Sequence, residues 1–241
     1  MNLNIQKYFK FRRGRVPIIL SCPHGGFKKP SFIPEKENGL KIPDKYTYFL
    51  GRRIIQVLKE RDIKIYYILN KIHRSKLDLN RPPRSSVAFN PISNEAQEIH
   101  LEYHKIILDF AQECVNNYKK CLFIDLHGFT KPYNDYPDII FGHLFGNTLV
   151  IENKVSNPKL KEYWGFSQIL DELSNEFTLD DGLGSTDFNL AYSGGYITHR
   201  FYGRSHINAF QIEVAKYIRL DLKLLKKFIN CLVAGIIKSL E

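Results

Sequence analysis

Two apolar, β-branched runs in this chain each stop at a histidine followed by glycine, and this pattern constrains the fold more than any other feature. The run VPIILS (16 to 21) leads into CPHGG (22 to 26), and mid-chain FIDLHGF (123 to 129) repeats the arrangement. Runs of this length and composition read as buried strands. A histidine at the point where a strand opens into a glycine loop sits on a rigid mount beside free space, as a metal ligand requires. His24 and His127 are therefore candidate zinc ligands. Asp125, two residues before His127, points to the same side of a strand and is placed to orient its ring. The alternative is that each histidine only caps its strand with a hydrogen bond, and the recurrence of the pattern favours a site.

Further apolar runs at 63 to 69, 121 to 126, 138 to 142, 147 to 151 and 208 to 214 also read as strands, several of them apolar on both faces. Between them, residues 45 to 60, 94 to 118, 166 to 177 and 219 to 239 place apolar side chains at helical spacing, with Ser93 as the N-cap of the second stretch. Strands alternating with helices predict an α/β fold, a central mixed, mostly parallel sheet covered on both sides. Ligands are then expected at the carboxyl ends of its strands, where both histidines lie. No linker, repeat or low-complexity tract divides the 241 residues, so the sequence predicts one domain.

Composition narrows the function classes. The opening MNLNIQKYFKFRRGR lacks the apolar core of a signal peptide and no run is long enough for a membrane span, which predicts a soluble cytoplasmic protein. Four dispersed cysteines without Cys-x-x-Cys fit neither a disulfide framework nor a thiolate zinc site, and read as reduced, mostly buried thiols. The net charge of +10, concentrated in FRRGR, RPPR and lysine pairs, suits a polyanion. It equally suits a small carboxylate substrate drawn into a cleft, and no nucleic-acid motif accompanies it.

A catalytic zinc takes three protein ligands and keeps a position open for water. Beside His24 and His127, the third is Asp44, Glu35 or Glu37, all in the stretch after PHGG; Asp44 also stands where an N-cap belongs. Glu213, in AFQIEV at the end of an apolar strand, is a costly charge to bury without a task, and is the candidate general base. Between the histidines, HRSKLDLNRPP (73 to 83) offers Asn80 and the Arg81 guanidinium as a carboxylate clamp, with prolines stiffening the loop. An ion-pair cluster around Asp78 that only holds the loop is the competing reading. His100 and His104 share a helix face without a zincin motif and read as solvated or interfacial, His104 being the better placed to line a cleft. The loop from Ser193 to Arg200 is a candidate lid that brings Tyr196 and Arg200 to substrate.

Taken in order, PHGG, Asp-x-Asn-Arg at 78 to 81, Asp-x-His-Gly at 125 to 128 and Gln-x-Glu at 211 to 213 resemble the pattern of the N-formylglutamate amidohydrolase family over about residues 16 to 220. That resemblance implies a three-layer αβα sandwich of the zinc-carboxypeptidase and aspartoacylase kind, one zinc and a water nucleophile. It implies His24 and His127 as ligands with Asp44 as the acidic third, although zinc carboxypeptidases carry a glutamate three residues after their first histidine and this chain has Phe27 there. It further implies Asn80 and Arg81 on the substrate carboxylate, Arg74 as electrophilic helper and Glu213 as base. The expected activity is zinc-dependent hydrolysis of a linear amide in a small N-acyl amino acid or peptide with a free carboxylate, N-formylglutamate being the model. A carboxypeptidase or another deacylase stands beside it, and a basic nucleic-acid-binding protein or an inactive binding member of the fold is the alternative from another class.

Overall fold

The computed structural model describes residues 4–152, 162–184 and 191–241. Its sheet has seven strands: β1 (Phe9–Arg12), β2 (Ile18–Cys22), β3 (Tyr66–Asn70), β4 (Cys121–Phe129), β5 (Ile139–Gly142), β6 (Leu179–Asp180) and β7 (Ile207–Ala215). They lie in the order β1-β3-β2-β4-β7-β5-β6. The central β3, β2, β4 and β7 are parallel, while β1 and β5 run antiparallel to β3 and β7, so the sheet is mixed and mostly parallel as expected.

Each face of the sheet carries its own apolar core. Ile18, Leu20, Ile124 and Ile212 pack against α1 (Thr47–Glu60), α3 (Phe166–Ser174) and the C-terminal helix Leu222–Lys238. On the other face, Ile19, Phe123 and Ala209 pack against α2 (Asn94–Tyr118) through Ile99, Tyr103, Ile107 and Phe110. The alternation of odd and even strand residues between two cores makes a three-layer αβα sandwich. Fully burying each such side chain contributes about 1.5–3 kcal/mol, so the fold is held by the layers and spares the strand ends.

The helices follow the sequence pattern with local corrections. Ser93 caps α2, its hydroxyl accepting from Ala96 N at 3.2 Å. Helix α1 begins two residues late because Tyr46 takes φ 70°, a left-handed turn. The predicted continuous helix 219 to 239 is broken at Asp221, whose extended backbone and carboxylate cap Lys223 N (2.8 Å) and Leu224 N (3.0 Å). The run 147 to 151 is not a strand: the Asn208 side chain takes Val150 N at 2.5 Å, which competes with ladder pairing. The sequence reading did not include strand β1, whose four-residue FKFR alternates but is short and half charged, or the two-residue β6. No helix among the described residues is long and apolar enough to cross a membrane. All four cysteines are free, and Cys22, Cys114 and Cys121 are buried.

Candidate active site

The parallel register of β4 and β7 sets His127 opposite Glu213 and Asp125 opposite Gln211, so these four side chains share one face at the carboxyl end of the sheet. Strand β2 ends at Cys22, and the PHGG turn carries His24 to the same edge. Both glycines are required there by close approach: a Cβ on Gly25 would collide with the Tyr48 backbone, and one on Gly26 with the Ile72 carbonyl. The turn is thus pressed between the start of α1 and the segment leaving β3.

Each histidine is held by a carboxylate at one nitrogen and presents the other to Asp44. His24 Nε2 lies 2.7 Å from Asp78 Oδ1, and His127 Nε2 lies 3.0 Å from Asp125 Oδ2. Their Nδ1 atoms sit 3.5 Å and 3.3 Å from Asp44 Oδ2, and the rings meet edge to face at 4.8 Å. Asp44 does not cap α1, as its position at the helix entry suggested. Its carboxylate turns inward, accepting from Arg74 Nη1 at 3.2 Å and Gly128 N at 3.2 Å. One ligand atom from each of His24, Asp44 and His127 falls within 4.8 Å of the others, all three buried. Glu35 and Glu37 are exposed, and Glu35 is spent on Ser75 at 3.1 Å.

The electrostatics fit a cation. His24 Nδ1 is buried without a hydrogen-bond partner among the described residues. Two imidazole nitrogens and a carboxylate, each ring anchored from behind by an aspartate, are the donor chemistry of a zinc site. Burial alone would raise Asp44, but His24 and His127 hold it well below the usual carboxylate range. Burial likewise works against His127, which Asp125, Asp44 and Glu213 nevertheless raise to about 10.

Glu213 is buried beside this cluster. Its Oε1 accepts from Gln211 Nε2 at 2.7 Å, while Oε2 has no partner among the described residues. Burial pushes its carboxyl up to about 7, against the pull of His127 and Arg74. A cavity of about 530 Å³ opens over His24, His127, Glu213, Arg74, Asn80 and Arg81. Arg74 is fixed by Asp78 (Nε to Oδ2, 2.8 Å) and Asp44, which leaves its Nη2 edge uncommitted among the described residues. Arg81 is exposed, and among the described residues its guanidinium hydrogen-bonds its neighbour's carbonyl, Nη1 to Asn80 O at 3.0 Å. Asn80, expected beside it as a clamp, is committed to protein: Oδ1 accepts from Ile197 N at 2.9 Å and Nδ2 donates to Gln211 Oε1 at 3.2 Å. It ends a chain Asn80–Gln211–Glu213 that aims the carboxylate.

Tyr196 and Arg200 do not face this cavity. They line a separate 230 Å³ pocket with His100 and His104, while Tyr192, Gly194 and Gly195 of the same loop line the first. His100 and His104 are buried rather than solvated, since their Nε2 atoms donate to the carbonyls of Arg81 and Leu79, both at 2.9 Å, and hold the clamp loop from behind. Sequence reasoning cast Asp78 only as the centre of an ion-pair cluster holding the loop, where it does pair with Arg74 but also anchors His24, and it gave Gln211 no role, although both lie inside the motifs. Arg219, which lies outside every motif, braces the site by donating to the carbonyls of Val214 (3.0 Å), Phe129 (2.8 Å) and Lys45.

Comparison with known proteins agrees with this fold. An N-formylglutamate amidohydrolase from Ralstonia eutropha JMP134 shares 14% identity at a TM-score of 0.63, covering 96% of this chain and 97% of that one. A gene product of Agrobacterium tumefaciens, Atu2144, shares 14% identity at a TM-score of 0.67, covering 97% and 93%. At this identity the likeness concerns the fold. No curated protein matches. The sequence model of the N-formylglutamate amidohydrolases matches residues 16–218, most of the chain and all four motifs, and the protein is therefore an amidohydrolase belonging to the N-formylglutamate amidohydrolase family.

Proposed function

We propose that the protein is a single-domain, cytoplasmic, zinc-dependent hydrolase of the linear amide bond in a small N-acyl amino acid that carries a free carboxylate, N-formylglutamate being the nearest model. The observation that carries this reading is the convergence of one ligand atom each from His24, His127 and Asp44 within 4.8 Å, beside a buried glutamate with an open oxygen. Those three residues would hold the metal, which when bound would polarise the amide carbonyl and lower the pKa of water.

Glu213, with a pKa near neutrality and Oε2 open, takes a proton from the attacking water and returns it to the leaving nitrogen. Gln211 and Asn80 keep that carboxylate in place. The Nη2 edge of Arg74 faces the charge that develops on the carbonyl oxygen, and its guanidinium is already immobilised by two aspartates, so little reorganisation is needed. Arg81, exposed on the rim, binds the substrate carboxylate through the guanidinium N–H groups that the Asn80 carbonyl does not take.

Metal content of the purified protein and of His127→Ala tests the reading. The wild type should carry about one zinc per chain and the variant almost none, with activity lost in parallel and the far-ultraviolet circular dichroism unchanged, because a strand-end site lies outside both cores. Wild-type zinc content in the variant would sink the assignment.

A further inference from the structure

The catalytic cavity leaves the FRRGR segment unused, and the fold gathers it into a second, larger depression. A cleft of about 910 Å³ lies between edge strand β1 and helix α1, and eight of its fifteen lining residues are lysine or arginine, with no aspartate or glutamate among them. Strand alternation builds one wall: Phe9 and Phe11 turn to the α2 core, which sends Lys10 and Arg12 to the opposite face. Helical spacing builds the other, because Phe49, Arg52, Gln56 and Lys59 stand at i, i+3, i+7 and i+10 along one stripe of α1. Tyr67 and Ile65 of the β3 side lie between.

Two of the cations are neutralised: Arg13 pairs with Glu113 and Lys64 with Asp62, each at 2.7 Å. The other six, Lys10, Arg12, Arg15, Arg52, Arg53 and Lys59, have no acidic partner within 4 Å among the described residues. Burial and the charge of Arg52 both press on the Lys10 ammonium. Like charges gathered in a concavity repel one another and cost folding energy unless an anion joins them. At the mouth of the cleft, Phe49 lies 54% exposed and parallel to the 57% exposed Phe27, ring centroids 6.3 Å apart and planes 6° apart. Cations that track a backbone, together with open aromatic faces, are the recognition chemistry of unpaired nucleotides. A duplex would leave the aromatic faces unused, and a membrane surface favours a protruding apolar face over a concave cationic one.

We propose that this cleft binds single-stranded nucleic acid, with phosphates on the six unpaired cations and a base stacked on Phe49. The test is fluorescence anisotropy of a labelled oligouridylate with the full-length protein at several salt concentrations. Six phosphate contacts predict a log Kobs against log salt slope of about −4, from roughly 0.7 per contact on single strands. The triple variant R12Q/R52Q/K59Q keeps the packing stems, so its circular dichroism should match the wild type while binding weakens at least tenfold and the slope halves. Phe49→Ala should weaken the oligonucleotide about fivefold or more and leave binding of inorganic polyphosphate unchanged.

Several outcomes would overturn the proposal. Oligonucleotide binding that the triple variant does not change places the ligand elsewhere. Equal loss of polyphosphate and oligouridylate in Phe49→Ala, or no loss of either, removes the base from the site. Binding to phosphatidylserine vesicles but not to the oligonucleotide makes the cleft a membrane contact. Self-association of the triple variant with unchanged oligonucleotide binding would show that the cations only guard the open edge of β1.

Discussion

Asp78→Asn is the most discriminating single change, because Asp78 touches no substrate and yet ties together the parts of the site that do. One oxygen lies 2.7 Å from His24 Nε2 and accepts from Asn80 N at 3.1 Å, while the other accepts from Arg74 Nε at 2.8 Å and lies 3.7 Å from the buried Lys36 ammonium. These neighbours hold its carboxyl far below the usual range despite full burial. Asparagine keeps the shape but removes the charge, and its amide group sets a donor against either His24 or Arg74. Loss of the carboxylate that orients a ligand histidine costs about 10–100-fold in metal affinity. That is about 1.4–2.7 kcal/mol at 1.36 kcal/mol per factor of ten. Breaking a buried pair costs about 3 kcal/mol at the lower end, and at roughly 2–4 °C per kcal/mol for a chain of this size the melting temperature should fall by roughly 6–12 °C. Zinc affinity by competition with a chromophoric chelator, below the melting range, separates the two effects. Glu35→Gln, exposed and bonded to Ser75 rather than to His24, Asp44 or His127, is the control and should change neither quantity. If Asp78→Asn binds zinc within a factor of two of that control, His24 does not ligate through the nitrogen that Asp78 frees, and the proposed ligand set fails.

Glu213→Gln should retain zinc while kcat falls on the order of a hundredfold or more, since the amide cannot accept the proton; zinc loss would recast Glu213 as a ligand. Arg81→Lys should weaken a carboxylate-bearing amide by about 1.5–3 kcal/mol in kcat/KM and leave an analogue with a blocked carboxylate nearly unchanged; equal losses would show that Arg81 serves the loop. His104 is pushed down to about 3, by burial first and by His100 second. Its folded pKa thus lies below the unfolded value near 6.5, the unfolded chain binds the proton first, and its contribution to stability is full above about 6.5 and lost as pH falls toward 3. Denaturant unfolding between those limits should therefore show a slope that His104→Gln reduces by up to about 1.4 kcal/mol per pH unit, and an unchanged slope would show that His104 is already charged in the fold.

How much of this was legible in the sequence depended on whether a residue acts where its own strand or helix puts it. His24, His127 and Glu213 sit at strand ends, and strand alternation alone sets Asp125 beside His127 and Gln211 beside Glu213. Ser93, a local cap, also reads directly. Asp44 was open among three acids because its path depends on Tyr46 turning left-handed, and local propensity assigns that conformation to glycine or asparagine rather than tyrosine. The roles of Asn80, Tyr196 and His100 depend on how α2 and the loop before β7 pack on the clamp segment, contacts between residues up to 117 positions apart that no periodicity encodes.

That long-range packing bears on the chemistry. Asn80 accepts from Ile197 N at Oδ1 and donates from Nδ2 to Gln211 Oε1, so the loop carrying Gly194 and Gly195 is joined to the base through one side chain. A Cβ on Gly195 would overlap the Asn80 amide, which makes the glycine a condition of that link. Movement of the loop would be felt at Glu213 before it was felt at the histidines, which Asp78 and Asp125 anchor from other elements. Gly195→Ala should therefore lower kcat by displacing Asn80 and Gln211 while zinc affinity stays at the wild-type value. A parallel loss of zinc would show that the two halves of the site are not separately supported.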